Sequence, residues 1–155
     1  MREIFFRGQT RRKGQKVWMD GSPVESNWVY GGVCHGTGDY SIIYGNLDEE
    51  RERPTEKWVV YTDTVGQFTG LTDKNGKKIF EGDIVRILGD QSSADWRNVD
   101  YVALIAFIDG GFCALDGTVE DHGFRRYALA RMDFDLEILG NIHDNPELLG
   151  GGDDG

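Results

Sequence analysis

The chain is poor in cysteine, in proline and in long apolar runs. Its 155 residues include only Cys34 and Cys113. Two thiols can make at most one disulfide, which excludes the dense cross-linking of small secreted scaffolds and leaves a reducing, cytoplasmic setting as the expectation. Three prolines stand against 22 glycines. That ratio argues against a proline-rich linker and for many tight turns between short strands. No apolar run approaches the ~18–20 residues of a membrane-spanning helix, and the opening Met1-Arg2-Glu3-Ile4-Phe5-Phe6-Arg7 is too short and too charged for a signal peptide. No membrane association is expected.

Signals for chemistry are equally sparse. Gly66 and Gly70 form neither G-x-x-x-x-G-K-[ST] nor a strand–turn–helix phosphate cradle. Zinc ligands ordinarily come in close pairs such as C-x-x-C. Here Cys34 and His35 are adjacent, so on a strand they point to opposite faces, and Cys113, Asp121 and His122 lie far along the chain. A thiol nucleophile would need Cys34 or Cys113 beside His35, His122 or His143, and neither cysteine sits in an activated turn. Carboxylate pairs such as Asp133/Asp135 and Glu120/Asp121 arise by chance among 27 acids. The residues therefore point to no catalytic group, no metal and no cofactor, and the protein is expected not to be an enzyme.

What is present is acid, aromatic surface and turn chemistry. The formal net charge is −10, which favours solubility and opposes general binding to nucleic acid. The charge is uneven. Residues 1–20 carry six Lys/Arg against Glu3 and Asp20, whereas residues 90–155 carry four Arg against fourteen Asp/Glu. Two differently solvated surfaces explain this, and head-to-tail assembly would exploit it.

Apolar alternation with closely spaced turn signals predicts a mostly β chain, a meander or a small barrel, with no βαβ unit. Residues 4–7 and 16–19 read as the arms of an N-terminal β-hairpin, with a polar, basic connection between them. Residues 28–33 read as one strand, 36–39 as a turn and 40–44 as a strand. Residues 46–56, nearly all charged from Asp48 to Arg53 and followed by Pro54, read as a solvated loop before a strand over 57–62. Residues 65–71 alternate and stop at Asp73-Lys74-Asn75-Gly76. Asn75-Gly76 is a strong hairpin signal, since both residue types tolerate φ > 0. Gly82 permits a corner, and Asp83 can accept from nearby backbone N–H groups at the entry to a strand over 84–88. Residues 89–98 read as a loop. Residues 99–108 are the longest apolar segment and fit a strand or a short helix; a turn at 109–111 and a returning run at 112–115 favour the strand. Residues 117–133 stay ambiguous. Residues 134–142 read as a closing strand, followed by a helical turn with Asn145 as N-cap and Pro146 in its first position.

The run Thr64-Val65-Gly66-Gln67-Phe68-Thr69-Gly70-Leu71-Thr72-Asp73-Lys74-Asn75-Gly76-Lys77-Lys78-Ile79-Phe80-Glu81-Gly82-Asp83-Ile84-Val85 resembles the signature block of the YopX family, proteins of bacteriophages and prophages. Arg2-Glu3-Ile4-Phe5-Phe6-Arg7-Gly8 resembles that family's opening, and Gly140-Asn141-Ile142-His143-Asp144-Asn145-Pro146-Glu147-Leu148-Leu149 its ending. Residues 31–62 and 89–133 do not match these blocks closely. The resemblance implies an N-terminal β region over 1–63 and a small SH3-like β-barrel over 64–149, and residues 150–155 read as a flexible tail. It also implies a phage or prophage origin in a bacterial cytoplasm. It implies no activity.

Two functions from different classes follow. One is a protein-binding or assembly module, a homo-oligomer or a complex with another protein. Aromatics make up 12% of residues and include Trp18, Trp28, Trp58 and Trp96. These either fill the core or leave faces that pair across subunits. The alternative is a nucleic-acid accessory protein. Arg7, Arg11, Arg12, Lys13 and Lys16 cluster beside Trp18, where cations can track a phosphate backbone and an aromatic can stack a base. The plainer account of that cluster is a solvated hairpin tip.

Overall fold

A computed structural model describes residues 4–10, 15–19, 22–26, 28–48, 53–89, 92–95, 100–116, 125–129 and 135–149. The chain divides into two compact units, Met1–Phe68 and Thr69–Gly155. Among the described residues the regular structure is almost all β, with short 3-10 turns and no α-helix.

The first unit holds β1 (Phe6–Gln9), β2 (Gln15–Met19), β3 (Ser22–Ser26), β4 (Trp28–Gly31), β5 (Val33–Thr37), β6 (Tyr40–Asp48), β7 (Arg53–Tyr61) and the start of β8 (Gly66–Thr72). All pairings are antiparallel. β1 lies between β4 and β8, with Phe6 opposite Gly31 on one side and Gln67 on the other. The expected hairpin between 4–7 and 16–19 is not formed. β2 pairs instead with β3, Val17 opposite Val24. The connection from Met19 to Ser22 is Asp20-Gly21, a two-residue sequence suited to a local hairpin. β1 gains two neighbouring strands by pairing at long range. β5, β6 and β7 form a three-stranded sheet in that order. One face of it buries Ile43 and Val60 against Val29, with Phe6, Cys34, Trp58 and Val65 packed around them.

Two further expectations fail in this unit. Residues 28–33 are two strands broken at Gly32. Residues 46–56 are not a loop throughout: β6 runs to Asp48 and β7 starts at Arg53, with Leu47 opposite Pro54 and Gly45 opposite Glu56. Cross-strand pairing extends a hairpin outward from its buried middle and overrides the charge pattern of its arms. β7 ends its sheet's strand order, a position where a proline is tolerated.

The second unit holds the rest of β8, then β9 (Lys78–Phe80), β10 (Asp83–Leu88), β11 (Asp100–Ile108), β12 (Gly111–Asp116), β13 (Arg125–Ala128) and β14 (Asp135–Asn141). Five of these form one antiparallel sheet in the order β13-β12-β11-β10-β14. The core packs Ile79, Val85, Ile87, Ala103, Ile105, Ala114, Leu129 and Leu136. Residues 100–108 are a strand, as the returning run after Asp109-Gly110 implies. β13 falls in the stretch whose sequence is ambiguous. Among the described residues the sheet does not close into a barrel, since β13 and β14 are its two ends.

Both expected hairpin turns are present, with different backbone geometry. Asp109 (φ 53) and Gly110 (φ 81) both adopt positive φ, the pattern of a type I′ turn. At Asn75-Gly76 only Gly76 does, at φ 83. There Asp73 sets the turn: its N–H donates to Lys77 O at 2.8 Å, and its Oδ1 accepts from the N–H groups of Asn75 and Lys77 at 2.9 Å each. Gly82 takes φ 88, and buried Asp83 accepts the Phe80 N–H through Oδ2 at 2.8 Å. Pro146 opens a 3-10 turn, Pro146–Leu148. Asn145 does not cap it; its Oδ1 accepts from Asn141 N–H at 3.3 Å. Residues 150–155, expected as a tail, lie outside the described residues.

Candidate interaction surface

Side chains of directly opposed residues on an antiparallel pair share a face. In the β5–β6–β7 sheet this rule separates two surfaces. Ser41, Ile43 and Gly45 on β6 point inward, as does Val60 on β7. Tyr40, Ile42 and Tyr44 on β6 therefore point outward, opposite Tyr61, Val59 and Lys57 on β7. Val59 is 49% exposed, Tyr40 42% and Tyr61 40%, while Ile42 and Tyr44 are half-buried. The rings of Tyr40 and Tyr61 are 5.7 Å apart between centroids. His35, opposite Ile42 on β5, adds an exposed imidazole to the same face.

One end of this face is held firmly. The Thr62 N–H donates to Asp39 O at 2.9 Å, and the Ser41 and Thr62 hydroxyls share a hydrogen bond of 2.8 Å. Thr64 is buried; its hydroxyl donates to Tyr61 O at 2.6 Å and accepts the Gln9 N–H at 2.9 Å. These bonds fix the 3-10 turn Thr62–Thr64 that ends β7. The tyrosine pair is thus mounted on an ordered frame. Val59, Tyr40 and Tyr61 gather exposed apolar surface on one side of the sheet.

Sequence alone directs attention to the tryptophans and misses this surface. A signal for it exists: Tyr40-Ser41-Ile42-Ile43-Tyr44 and Trp58-Val59-Val60-Tyr61 are apolar or aromatic at both parities of the alternation, more than one buried face needs.

The residues expected to contact nucleic acid do not form one described strip. Arg11, Arg12 and Lys13 lie outside the described residues. Lys16 and Trp18 are on β2, and their side chains also lie outside them. Arg7 is 7% exposed, and its guanidinium carbon lies 4.7 Å from the centroid of the buried Trp28 ring. That cation–π contact joins neighbouring strands β1 and β4, and it directs the arginine inward. Arg7→Ala is expected to destabilise the first unit by about 2 kcal/mol, through lost cation–π attraction and lost packing of the aliphatic stem. A thermal melt checks this; a loss near zero would mean that the stacking carries no weight. The turn residues Asn75, Gly76, Gly82 and Asp83 stand in the second unit as described above.

Cys34 packs on the core side of β5, and burial pushes its pKa up, which keeps it protonated. His35 faces away from it. Cys113 is buried on β12. Asp121 and His122 lie outside the described residues. Among the described residues no three His, Cys, Asp or Glu side chains converge to hold a metal, and no helix is long and apolar enough to cross a membrane.

The family model described as "YopX protein" matches residues 23–150, well over half of the chain. The chain belongs to the YopX family. The central block 64–85 and the closing block 140–149 both fall inside the YopX match, while the opening 2–8 lies outside it. The outward sheet face, on strands between Val33 and Tyr61, falls inside the YopX match as well. No curated protein matches the chain.

Proposed function

We propose that the protein is a non-enzymatic assembly module that binds protein through the outward face of the β5–β6–β7 sheet. The observation that carries this is the exposed apolar row Tyr40, Val59 and Tyr61 beside Ile42 and Tyr44, mounted on a hydrogen-bonded frame. Burying aromatic surface at the centre of an interface supplies much of the energy of association, and tyrosine loses little side-chain freedom in doing so. The setting is a phage or prophage protein in a bacterial cytoplasm, as the YopX resemblance suggests. The second unit is read as an SH3-like barrel that serves as scaffold. Supporting this are its antiparallel meander β10–β11–β12–β13 and the return of the last strand, β14, beside β10.

A photo-crosslinking residue at Tyr61 tests the module. Irradiation of the pure protein and of a bacterial lysate is expected to give protein adducts at Tyr61 and none at a control position, the exposed Thr72. Equal labelling at both positions, or none at Tyr61, would sink the reading. Salt-sensitive retention on heparin that disappears when Arg11, Arg12 and Lys13 are changed to Glu would put the nucleic-acid accessory role in its place.

A further inference from the structure

Among the described side chains, the charged residues along the outward face differ in sign on the two sides of its central row. Lys57 is exposed and sits in the row of Tyr44. Asp39 and Asp63, both exposed, sit beyond the opposite end, next to the Tyr40–Tyr61 row. Asp39 lies in the turn between β5 and β6, and Asp63 in the 3-10 turn after β7. Between the ends, the central row is His35, Ile42 and Val59, which carries no carboxylate and no lysine or arginine. Among the described side chains, the face therefore has Ile42 and Val59 beside an imidazole in its middle, a lysine on one side of them and carboxylates beyond the other.

We infer that this face binds a second copy of the same chain, sheet against sheet, about a twofold axis that reverses the strand direction. The inference rests on the reading of the face as an interaction surface and names its occupant. Stacked sheets lie about 10 Å apart with their strands roughly aligned. With strands parallel across the interface, β7 would lie over the partner's β5, so both Lys57 residues would share one end and all the carboxylates the other, and neither lysine would face a carboxylate. With strands antiparallel, Lys57 of each copy lies over the Asp39 and Asp63 end of the other. The ion pairs then occur twice, as an isologous contact requires. The same operation sets Val59 and Ile42 in the middle of both faces and brings Tyr44 over the Tyr40–Tyr61 pair. Apolar matching supplies attraction, and the end charges select the orientation.

Sedimentation equilibrium of the full chain tests this. The wild type is expected to be dimeric at tens of micromolar, and Val59→Glu, with a carboxylate at the centre of both faces, to raise the dissociation constant by about 100-fold or more. Tyr61→Ser is expected to act in the same direction, and unchanged circular dichroism shows that both variants are folded. Lys57→Glu is expected to weaken the dimer about tenfold, while Lys57→Glu combined with Asp63→Lys recovers wild-type affinity to within about threefold. A monomeric wild type at about 100 µM, a dimer indifferent to Val59→Glu, or a double variant no tighter than Lys57→Glu alone overturns the inference. The crosslinking at Tyr61 separates the two failures. A monomer that still gives adducts with other proteins removes only self-pairing, whereas a monomer without adducts removes the assembly role as well.

Discussion

Replacing Gly31 by alanine is expected to cost the first unit about 3 kcal/mol, the upper end of the penalty for overpacking a filled site. Gly31 is the last residue of β4 and is buried where β4 approaches β6. A Cβ there would lie 2.7 Å from the carbonyl carbon of Tyr44, closer still to its oxygen, and 2.8 Å from Ile43 Cγ2. Tyr44 O belongs to the backbone of a strand paired with β7, so it cannot move aside as a flexible side chain would. Relief requires β4 and β6 to separate, which opens the core of Val29, Ile43 and Val60 and forfeits dispersion contacts on both sides. Glycine-to-alanine replacement also stiffens the unfolded chain, worth only about 0.4–1 kcal/mol in the other direction. Steric cost decides the sign. A suitable comparison is Gly38→Ala. A methyl group on Gly38 would meet no heavy atom within 4 Å, but the residue adopts φ +65, so its cost is the left-handed penalty of about 1–2 kcal/mol. Chemical denaturation of both variants checks the ordering, and a Gly31→Ala loss no larger than that of Gly38→Ala would refute the close approach.

The contrast between these glycines shows what is legible in the sequence. Turn glycines announce themselves through their neighbours: Asp109-Gly110 and Asn75-Gly76 each separate two apolar runs, and both turns exist. Gly31 stands in Trp28-Val29-Tyr30-Gly31-Gly32-Val33, where the sequence shows a β-prone run and nothing of the strand that presses on it. The alternation within 66–72 and 135–141 marks strands, and both stretches are strands. Residues 46–48 and 53–56 mislead because a run of charges around Pro54 looks solvated, and such a run can pair without leaving solvent. The hairpin expected between 4–7 and 16–19 fails for a related reason. Sequence displays local proximity, whereas β1 is placed by the long-range gain of lying between β4 and β8.

The proposed interaction surface is legible in composition and hidden in placement. The wealth of aromatics points to pairing faces, yet the exposed aromatics among the described residues are Tyr40, Tyr61 and Phe107, while Trp28 is buried. The register of β6 against β7 is what gathers Tyr40, Ile42, Tyr44, Val59 and Tyr61 on one side. A one-residue slip would bury that set and expose Ile43 and Val60. The function proposed for the chain is therefore a property of register, which no single residue in the sequence declares.

Asp73→Ala is expected to cost the second unit about 3–4 kcal/mol at neutral pH, because a single buried carboxylate serves three backbone donors. Oδ1 accepts from Asn75 and Lys77, and Oδ2 accepts the N–H of Ile138, on β14, at 3.1 Å. The adjacent Lys74 N–H donates to Leu136 O at 2.8 Å, and Lys74 Nζ lies 3.5 Å from Glu137 Oε2. The turn after β8 is thereby stitched to a strand 65 residues further along the chain. Burial alone would push the Asp73 carboxyl up. The N–H donors of Ile138, Lys77 and Asn75, aided by the charge of Lys77, outweigh it and hold the carboxyl below its ordinary value. A lowered folded value means that the unfolded chain binds the proton more readily. The stabilisation is thus complete above the unfolded value of about 3.9 and is lost as pH falls through the folded one. Asp73→Asn removes the charge and sets an amide donor against one of the three N–H groups, for an expected loss of about 2–3 kcal/mol at pH 7. The gap between wild type and Asp73→Asn is expected to stay level from pH 7 to about pH 5 and to narrow below about pH 4. Urea unfolding of both proteins across that range measures it. A gap that held its size into strong acid would show that the carboxylate charge contributes nothing and that Asp73 acts by shape alone.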